Sequence, residues 1–264
     1  MPESVAVNID CVEGMKKLPN GCVDLTVTSP PYDAIRDYNG FVFDYKKTLQ
    51  EIYRVTKDGG VVVWIVADQT INGSETGTSF KQALFAKEIG FNLHQTLIWN
   101  KGNLTFPHKT TYYDVFEYMF VFAKGKIKTA NLIEDRINID GGKTMHGTSR
   151  QRDGSLTVKS GAKLGRKINE IGRRFNVWEI PPVQSNTERT GHPAQFPLRL
   201  VKDHIVSWSN EGDTVLDPFL GSGTTRIAAY DLNRNFVGYE ISEEYFQMQE
   251  ERFRNHTAQT SLFV

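Results

Sequence analysis

The sequence predicts an α/β protein: a doubly wound, mostly parallel sheet of seven strands, carrying an inserted basic subdomain. Three observations carry this. Short β-branched or aromatic runs alternate with stretches of helical spacing at both ends of the chain. Val61 to Val66 is a continuous apolar run, as expected of a strand covered on both faces. Between residues 124 and 189 the periodicity fails, and fourteen lysines and arginines face seven acids, a net of +7 in a chain whose 31 basic and 31 acidic residues cancel. A structureless loop of that length is uncommon in a compact domain, so an insert is expected. The division is 1–123, 124–190 and 191–264.

Taken in order, Ser4 to Asn8 alternates as a strand, and Val12 to Leu18 is a helix closed by Pro19-Asn20-Gly21. Val23 to Val27 is a strand that runs into Thr28-Ser29-Pro30-Pro31-Tyr32. Neither proline has an N–H, so the ladder stops there and the backbone leaves the sheet. A polar, aromatic loop follows, Asp33 to Asp44. Tyr45 to Val55 has helical spacing, with Leu49, Ile52, Tyr53 and Val55 on its apolar face. Lys57 to Gly60 is a turn before the Val61 strand, and Asp68 to Thr78 a small polar loop. Phe80 to Ile89 is a helix stopped by Gly90, Phe91 to Trp99 a strand, and Lys101 to Tyr113 a second long loop. Val115 to Ala123 is a strand. After the insert come a helix from Phe196 to Ser209 and a strand, Thr214 to Leu216. That strand enters Asp217-Pro218-Phe219-Leu220-Gly221-Ser222-Gly223-Thr224-Thr225, and a helix continues to Leu232. Asn235 to Glu240 is a strand ending in an acid. Ser242 to Asn255 is a last helix with an amino-terminal signal in Ser242, Glu243 and Glu244.

Composition narrows the function. With 264 residues, 39% hydrophobic and 23% charged, the chain suits one ordinary α/β domain plus an insert. Cys11 and Cys22 are too few for a disulfide framework or a cysteine zinc site, and no metal is expected. No amino-terminal stretch reads as a signal peptide, and the longest apolar run, Val61 to Ala67, is too short to span a bilayer. The expectation is a soluble, cytoplasmic protein with no membrane partner.

Two stretches point to chemistry. At Ser29 to Tyr32 a hydroxyl, free carbonyls and an aromatic face share a strand's carboxyl end, where open α/β sheets bind ligands. From Asp217 to Thr225 a strand passes through a glycine turn into a helix, whose amino terminus offers N–H groups to a negative group. Glu240 then ends the next strand, as an acid that accepts ribose hydroxyls does. No Lys follows the last glycine, which excludes a triphosphate-binding loop.

Together these stretches resemble the S-adenosylmethionine-dependent DNA amino-methyltransferases, which make N6-methyladenine or N4-methylcytosine. The order Ser-Pro-Pro-Tyr, basic segment, Asp-Pro-Phe-x-Gly-x-Gly resembles their permuted beta group. Arg54 to Gly60, Ile98 to Lys101, Phe122 to Lys124 and His192-Pro193-Ala194-Gln195-Phe196-Pro197 are similar to that group as well. The resemblance implies a Rossmann-like methyltransferase fold and S-adenosyl-L-methionine as cofactor. Asp217, Pro218, Phe219, Gly221, Ser222 and Gly223 would line its methionine end. Thr224 and Thr225 would sit at its carboxylate, with His192 and Pro193 nearby. Glu240 would hold the ribose and Asp10 the adenine amino group, although Asp10 also suits a plain helix cap.

Ser29, Pro30, Pro31 and Tyr32 would do the chemistry, with Ser29 also facing the cofactor. The Ser29 hydroxyl and the Pro30 carbonyl would draw on the hydrogens of the target amino group, and Tyr32 would stack on a flipped base. Methylation at a ring carbon needs a nucleophilic Cys after a proline, and neither cysteine follows one. The partner implied is double-stranded DNA. Its candidate contacts are Arg36, His108, Lys109, Tyr112, Tyr113, Arg150, Arg152, Arg173 and Arg174, with Asn131, Asn138 and Gln151 as possible base readers. The resemblance leaves a homodimer and a cognate restriction endonuclease open as partners, and places the protein in a prokaryote or its phage, nucleoid-associated when bound to DNA.

Adenine is narrowly favoured, because Ser29 to Tyr38 resembles a group that includes adenine enzymes. Ser before Pro-Pro-Tyr is itself frequent in cytosine-N4 enzymes. Two remoter readings stay open: a methyltransferase acting on protein glutamine or a small amide, and an inactive DNA-binding relic.

Overall fold

The computed structural model describes residues 2–31, 43–102, 110–144, 147–158, 165–183 and 195–260. The chain divides into two compact units, Met1–Asn131 with Asn176–Val264, and Leu132–Phe175.

The first unit is built on one sheet. Its strands are β1 (Ser4–Asn8), β2 (Val23–Thr28), β3 (Thr56–Val66), β6 (Asn92–Asn100), β7 (Phe116–Ala123), β12 (Val177–Glu179), β13 (Thr214–Asp217) and β14 (Asn235–Glu240). They lie in the order β1-β14-β13-β2-β3-β7-β6-β12, and β7 runs against its neighbours in an otherwise parallel sheet. A small hairpin, β4 (Thr70–Ile71) with β5 (Ser74–Glu75), follows β3.

Helices cover both faces. On one lie α1 (Cys11–Met15), α2 (Tyr45–Val55) and α3 (Thr78–Glu88). Leu49, Ile52 and Val55 of α2 pack there with Val62, Trp64 and Val66 of β3. On the other, α4 (Leu198–Trp208) and α5 (Thr224–Asp231) bury Leu200, Val201, Ile205, Ala228 and Ala229 against Val61, Val63 and Ile65. Odd and even residues of one run thus feed two cores, which is why Val61 to Val66 has no polar position. The last helix, α6 (Glu243–Thr260), packs on α5.

The sheet has eight strands where seven were expected. The extra one is β12, which lies inside the stretch read as an insert. Val177 to Glu179 pairs in parallel with Ile98 to Asn100 at the sheet edge. Trp178 is buried and stacked on His204 at 4.5 Å, while the Trp99 indole N–H donates to the Ile180 carbonyl at 2.6 Å. Large aromatic burial and one edge ladder hold so short a strand. Lys57 to Gly60, expected as a turn, enters β3 through a shift of register against β2.

In Leu132–Phe175 the elements are two ribbons. β8 (Glu134–Ile137) pairs antiparallel with β11 (Ile171–Arg173), and β9 (Thr148–Arg150) with β10 (Leu156–Val158). Arg174 ties the first ribbon, its guanidinium bonded to Asp135 and its N–H to the Ile133 carbonyl at 3.0 Å.

The centre of the main sheet is the seam between β2 and β13, strands far apart in sequence. Val215 pairs with Leu25 and Leu216 with Thr26. At one end Asp24 Oδ2 accepts from the Thr214 N–H at 2.9 Å and from Lys57 Nζ at 2.6 Å. At the other, the Thr28 hydroxyl donates to Asp217 Oδ1 at 2.6 Å. Asp24→Ala leaves the Thr214 N–H and the ammonium without that acceptor. A loss near the low end of ~1–3 kcal/mol is expected, because Lys57 is partly in water. Urea unfolding of parent and variant at pH 7 measures it.

Candidate functional site

β2 and β13 are neighbours whose following connections part. The chain after β2 crosses by α2 to β3 on one side, and the chain after β13 crosses by α5 to β14 on the other. Such a reversal opens a crevice beyond the carboxyl ends of the two strands. A cavity of about 430 Å³ lies there, within the ~300–1,000 Å³ usual for small-molecule sites.

One side of the cavity is Ser29, Pro30 and Pro31, directly after β2. The other is Asp217, Pro218, Phe219, Gly221 and Ser222, directly after β13, then Thr224 and Thr225 at the start of α5. Asp10 and Glu240 close it from β1 and β14. Two stretches almost 190 residues apart thus share one rim. Gly223 stands behind the lining as the residue before α5. Its φ is 74°, and a Cβ there would come 3.0 Å from Cβ of Gln249. Tyr32, His192 and Pro193 lie outside the described residues.

Backbone donors fix Glu240. Its Oε2 accepts from the Gly221 N–H at 2.8 Å and its Oε1 from the Ser242 N–H at 2.9 Å. Gly221 has a φ of 50°, which presents that N–H at little steric cost. Each oxygen keeps a lone pair for a ligand hydroxyl. Burial pushes the Glu240 carboxyl up, and these two N–H groups pull it back.

Asp10 is the helix cap that one of its two readings expected, and it also lies at the cavity. Its Oδ1 accepts from the Val12 and Glu13 N–H groups at 2.9 and 3.1 Å, capping α1, while the residue lines the cavity.

Asp217 is buried. Burial pushes its carboxyl up to about 7, against the Thr28 hydroxyl and the Phe219 N–H, which favour the charged form. Burial, with Asp10 beside it, likewise pushes the Cys11 thiol up to about 12. That cysteine lines the cavity yet stays a protonated thiol, with none of the thiolate a covalent mechanism needs.

Some of the lining was not singled out in the sequence. Phe43 meets Phe219 edge to face at 5.2 Å, and Phe219 in turn lies 6.4 Å from Trp64. Phe43 precedes Asp44, which caps α2 by accepting from the Lys46 and Lys47 N–H groups at 3.1 and 3.2 Å. An Asp ahead of a helical pattern was the available signal for a helix starting at this rim. Tyr239 and Tyr245 also line the cavity.

The expected DNA contacts divide. Tyr112 and Tyr113 are exposed. In the second unit Arg150 and Arg152 are exposed and form no ion pair among the described residues. Arg173 is exposed and 3.6 Å from Glu134. Arg174 is half-buried on Asp135, which makes it a tie of the ribbon first. Asn138 binds the Asn169 carbonyl, Gln151 the Thr157 hydroxyl, and Asn131, in the first unit, the carbonyls of Val206 and Ser209, so all three amides are already engaged. Arg36, His108 and Lys109 lie outside the described residues.

A family model described as DNA methylase matches residues 23–251. The orphan methyltransferase M.BamHII of Bacillus amyloliquefaciens is 52% identical over 249 residues, 92% of this chain and 93% of that protein. The DNA adenine methyltransferase YhdJ of Escherichia coli is 28% identical across 90% of this chain and 79% of its own. Among solved structures, TTHA0409 from Thermus thermophilus, a putative DNA modification methylase complexed with S-adenosyl-L-methionine, matches with a TM-score of 0.63. It is 25% identical, over 96% of this chain and 95% of that one.

The Asp217 environment has a consequence for stability. An unfolded Asp loses its proton near pH 4, whereas folded Asp217 keeps it to about pH 7. Its stabilising contribution is therefore complete below pH 4 and is lost as pH rises through 7. Asp217→Asn cannot ionise. Relative to the parent, the ligand-free variant should gain stability between pH 5 and pH 8, as read from denaturation midpoints across that range.

Proposed function

This chain belongs to the DNA methylases that modify exocyclic amino groups, and from that premise we propose how its own residues carry the reaction. The cofactor is S-adenosyl-L-methionine, and the substrate is an amino group of a base flipped out of double-stranded DNA. The observation that carries this is the common rim: Ser29-Pro30 faces Asp217, the glycine turn and Glu240 across one cavity.

The cavity suits the cofactor by its chemistry. A fixed carboxylate at Glu240 with lone pairs to spare matches a ribose diol. N–H groups at the start of α5, with the Thr224 and Thr225 hydroxyls, match an amino-acid carboxylate. Asp10, in the same lining, would accept from the adenine amino group. When bound, the cofactor supplies a sulfonium methyl that the amino nitrogen attacks in line.

The amino lone pair is conjugated into the ring and is a poor nucleophile. The Ser29 hydroxyl and the Pro30 carbonyl accept from the two N–H bonds and draw the nitrogen towards tetrahedral geometry. Pro30 is buried, so its carbonyl is held in place before the base arrives. The carbon–sulfur bond would break as the carbon–nitrogen bond forms, the sulfonium leaving as a neutral thioether and the nitrogen's surplus proton passing to bulk water, with no covalent enzyme intermediate. Tyr32 supplies the stacking face. Most of the rate comes from positioning. Arg150 and Arg152, which form no ion pair among the described residues, serve phosphate contacts.

Two bases offer such an amino group. N6 of adenine is the first reading, supported by the pattern from Ser29 to Tyr38 and by the likeness to YhdJ. N4 of cytosine is the second, supported by the neutral Ser29 hydroxyl ahead of Pro-Pro-Tyr. The 52% identical relative is named an orphan methyltransferase, so we read the chain as acting without a cognate endonuclease.

Incubation of unmethylated DNA with protein and cofactor, followed by nucleoside mass spectrometry, should yield N6-methyladenine or N4-methylcytosine. No methylated nucleoside, or 5-methylcytosine, overturns the reading. Tyr32→Ala should keep cofactor affinity in calorimetry while turnover falls by about 100-fold, a loss of ~2.7 kcal/mol in the barrier. Unchanged turnover removes Tyr32 from the base pocket.

A further inference from the structure

We propose that Arg252 is a positioning residue for the cofactor's carboxylate, acting through the hydroxyls of Thr224 and Ser222. The inference rests on the cofactor reading above. Arg252 does not line the cavity; it reaches the glycine turn from behind, out of α6.

Its Nη1 donates to the Ser222 carbonyl at 2.7 Å and to Thr224 Oγ1 at 3.0 Å. A guanidinium has donors only. The Thr224 oxygen must therefore accept from it, and the Thr224 O–H is left to point elsewhere. Ser222 Oγ lies 3.1 Å from Thr224 Oγ1. Both residues are buried and both line the cavity. Fixing the first member of such a chain fixes the direction of the next, and each bond polarises its neighbour. One hydroxyl hydrogen is used between the two oxygens, so the pair keeps one oriented O–H donor for an anion at the start of α5.

The local electrostatics point the same way. α5 begins after Gly223, with no side-chain cap on its free N–H groups. That end of a helix carries partial positive charge, so a cation placed against it is unfavourable by itself. An anion seated on the same N–H groups reverses the sign of that interaction. The position of Arg252 is also imposed by packing. Gln249 and Glu250, less than one turn earlier in α6, bind Arg226 of α5 at 2.9 and 2.5 Å. The two helices are keyed together there, and Arg252 is carried to the turn. The anion that fits is the carboxylate of an amino-acid tail.

The experiment compares two ligands by calorimetry on the full chain: S-adenosylmethionine, and its decarboxylated form, which keeps the sulfonium and the amine. Arg252→Gln should weaken the first by about tenfold, the size of one charge-assisted hydrogen bond, and the second by less than twofold. In steady state KM for the cofactor should rise with kcat within about twofold, since the interaction is uniform across the reaction. Arg252→Lys, with its charge but no fork, should recover part of the loss. Equal weakening of both ligands would mean that Arg252 merely holds the turn's shape and would overturn the proposal. So would no change for either. A parent chain that binds neither ligand overturns the cofactor reading itself. Thermal unfolding of the variant checks that it folds.

Discussion

At the site end of the seam, a buried side-chain hydrogen bond from the Thr28 hydroxyl to Asp217 Oδ1 ties together the two strands whose ends make the site. Both groups are buried, so neither can exchange its partner for water. Asp217 also takes the Phe219 N–H, which starts the turn away from β13. One carboxyl oxygen therefore sets both the separation of the two strand ends and the exit path of the glycine turn. The Asp24 carboxylate performs the matching task at the opposite end of the same seam. Between them, register along the seam is specified at both ends, and a slip would leave buried donors without acceptors.

Function follows from which groups remain free once the seam is made. The prolines after Thr28 remove donors and leave carbonyls; the start of α5 leaves N–H groups with no side-chain cap. One side of the cavity is thus acceptor-rich and the other donor-rich. An amino group to be activated and a carboxylate to be held find opposite polarities across one space. Glu240 would break that pattern, yet two backbone donors take one lone pair of each oxygen and leave the others for a ligand.

Much of the fold was legible because several of its elements obey simple rules. Val61 to Val66 reads as a doubly covered strand, and it is one. Tyr45 to Val55 shows its apolar face by spacing, and Leu49, Ile52 and Val55 are buried as expected, with Tyr53 only half so. The glycine turn and the terminal acid announce themselves because few other residues adopt those backbone angles or tolerate that burial. β12 did not announce itself, since three residues carry no periodicity; its stability comes from Trp178, Trp99 and Ile180, which meet only in three dimensions. Phe43 was hidden for the same reason, its partner Phe219 being distant in sequence. The ribbons of residues 132–175 are too short and too polar for a period-2 signal. Of the candidate arginines, charge alone could not separate Arg174, committed to Asp135, from the exposed pair at 150 and 152.

The parallel pairing of β1 with β14 bears on biosynthesis. At ~5–20 residues per second, the ribosome needs roughly 10 to 50 s between completing the first strand and completing the strand it pairs with. The same delay applies to the central seam, since β13 also emerges late. Through that interval the nascent chain holds an unsealed hydrophobic sheet edge and no assembled cavity. Premature termination before β13 therefore yields a sticky fragment and no partial catalyst, and cellular chaperones have most to do for this protein while it is still being translated.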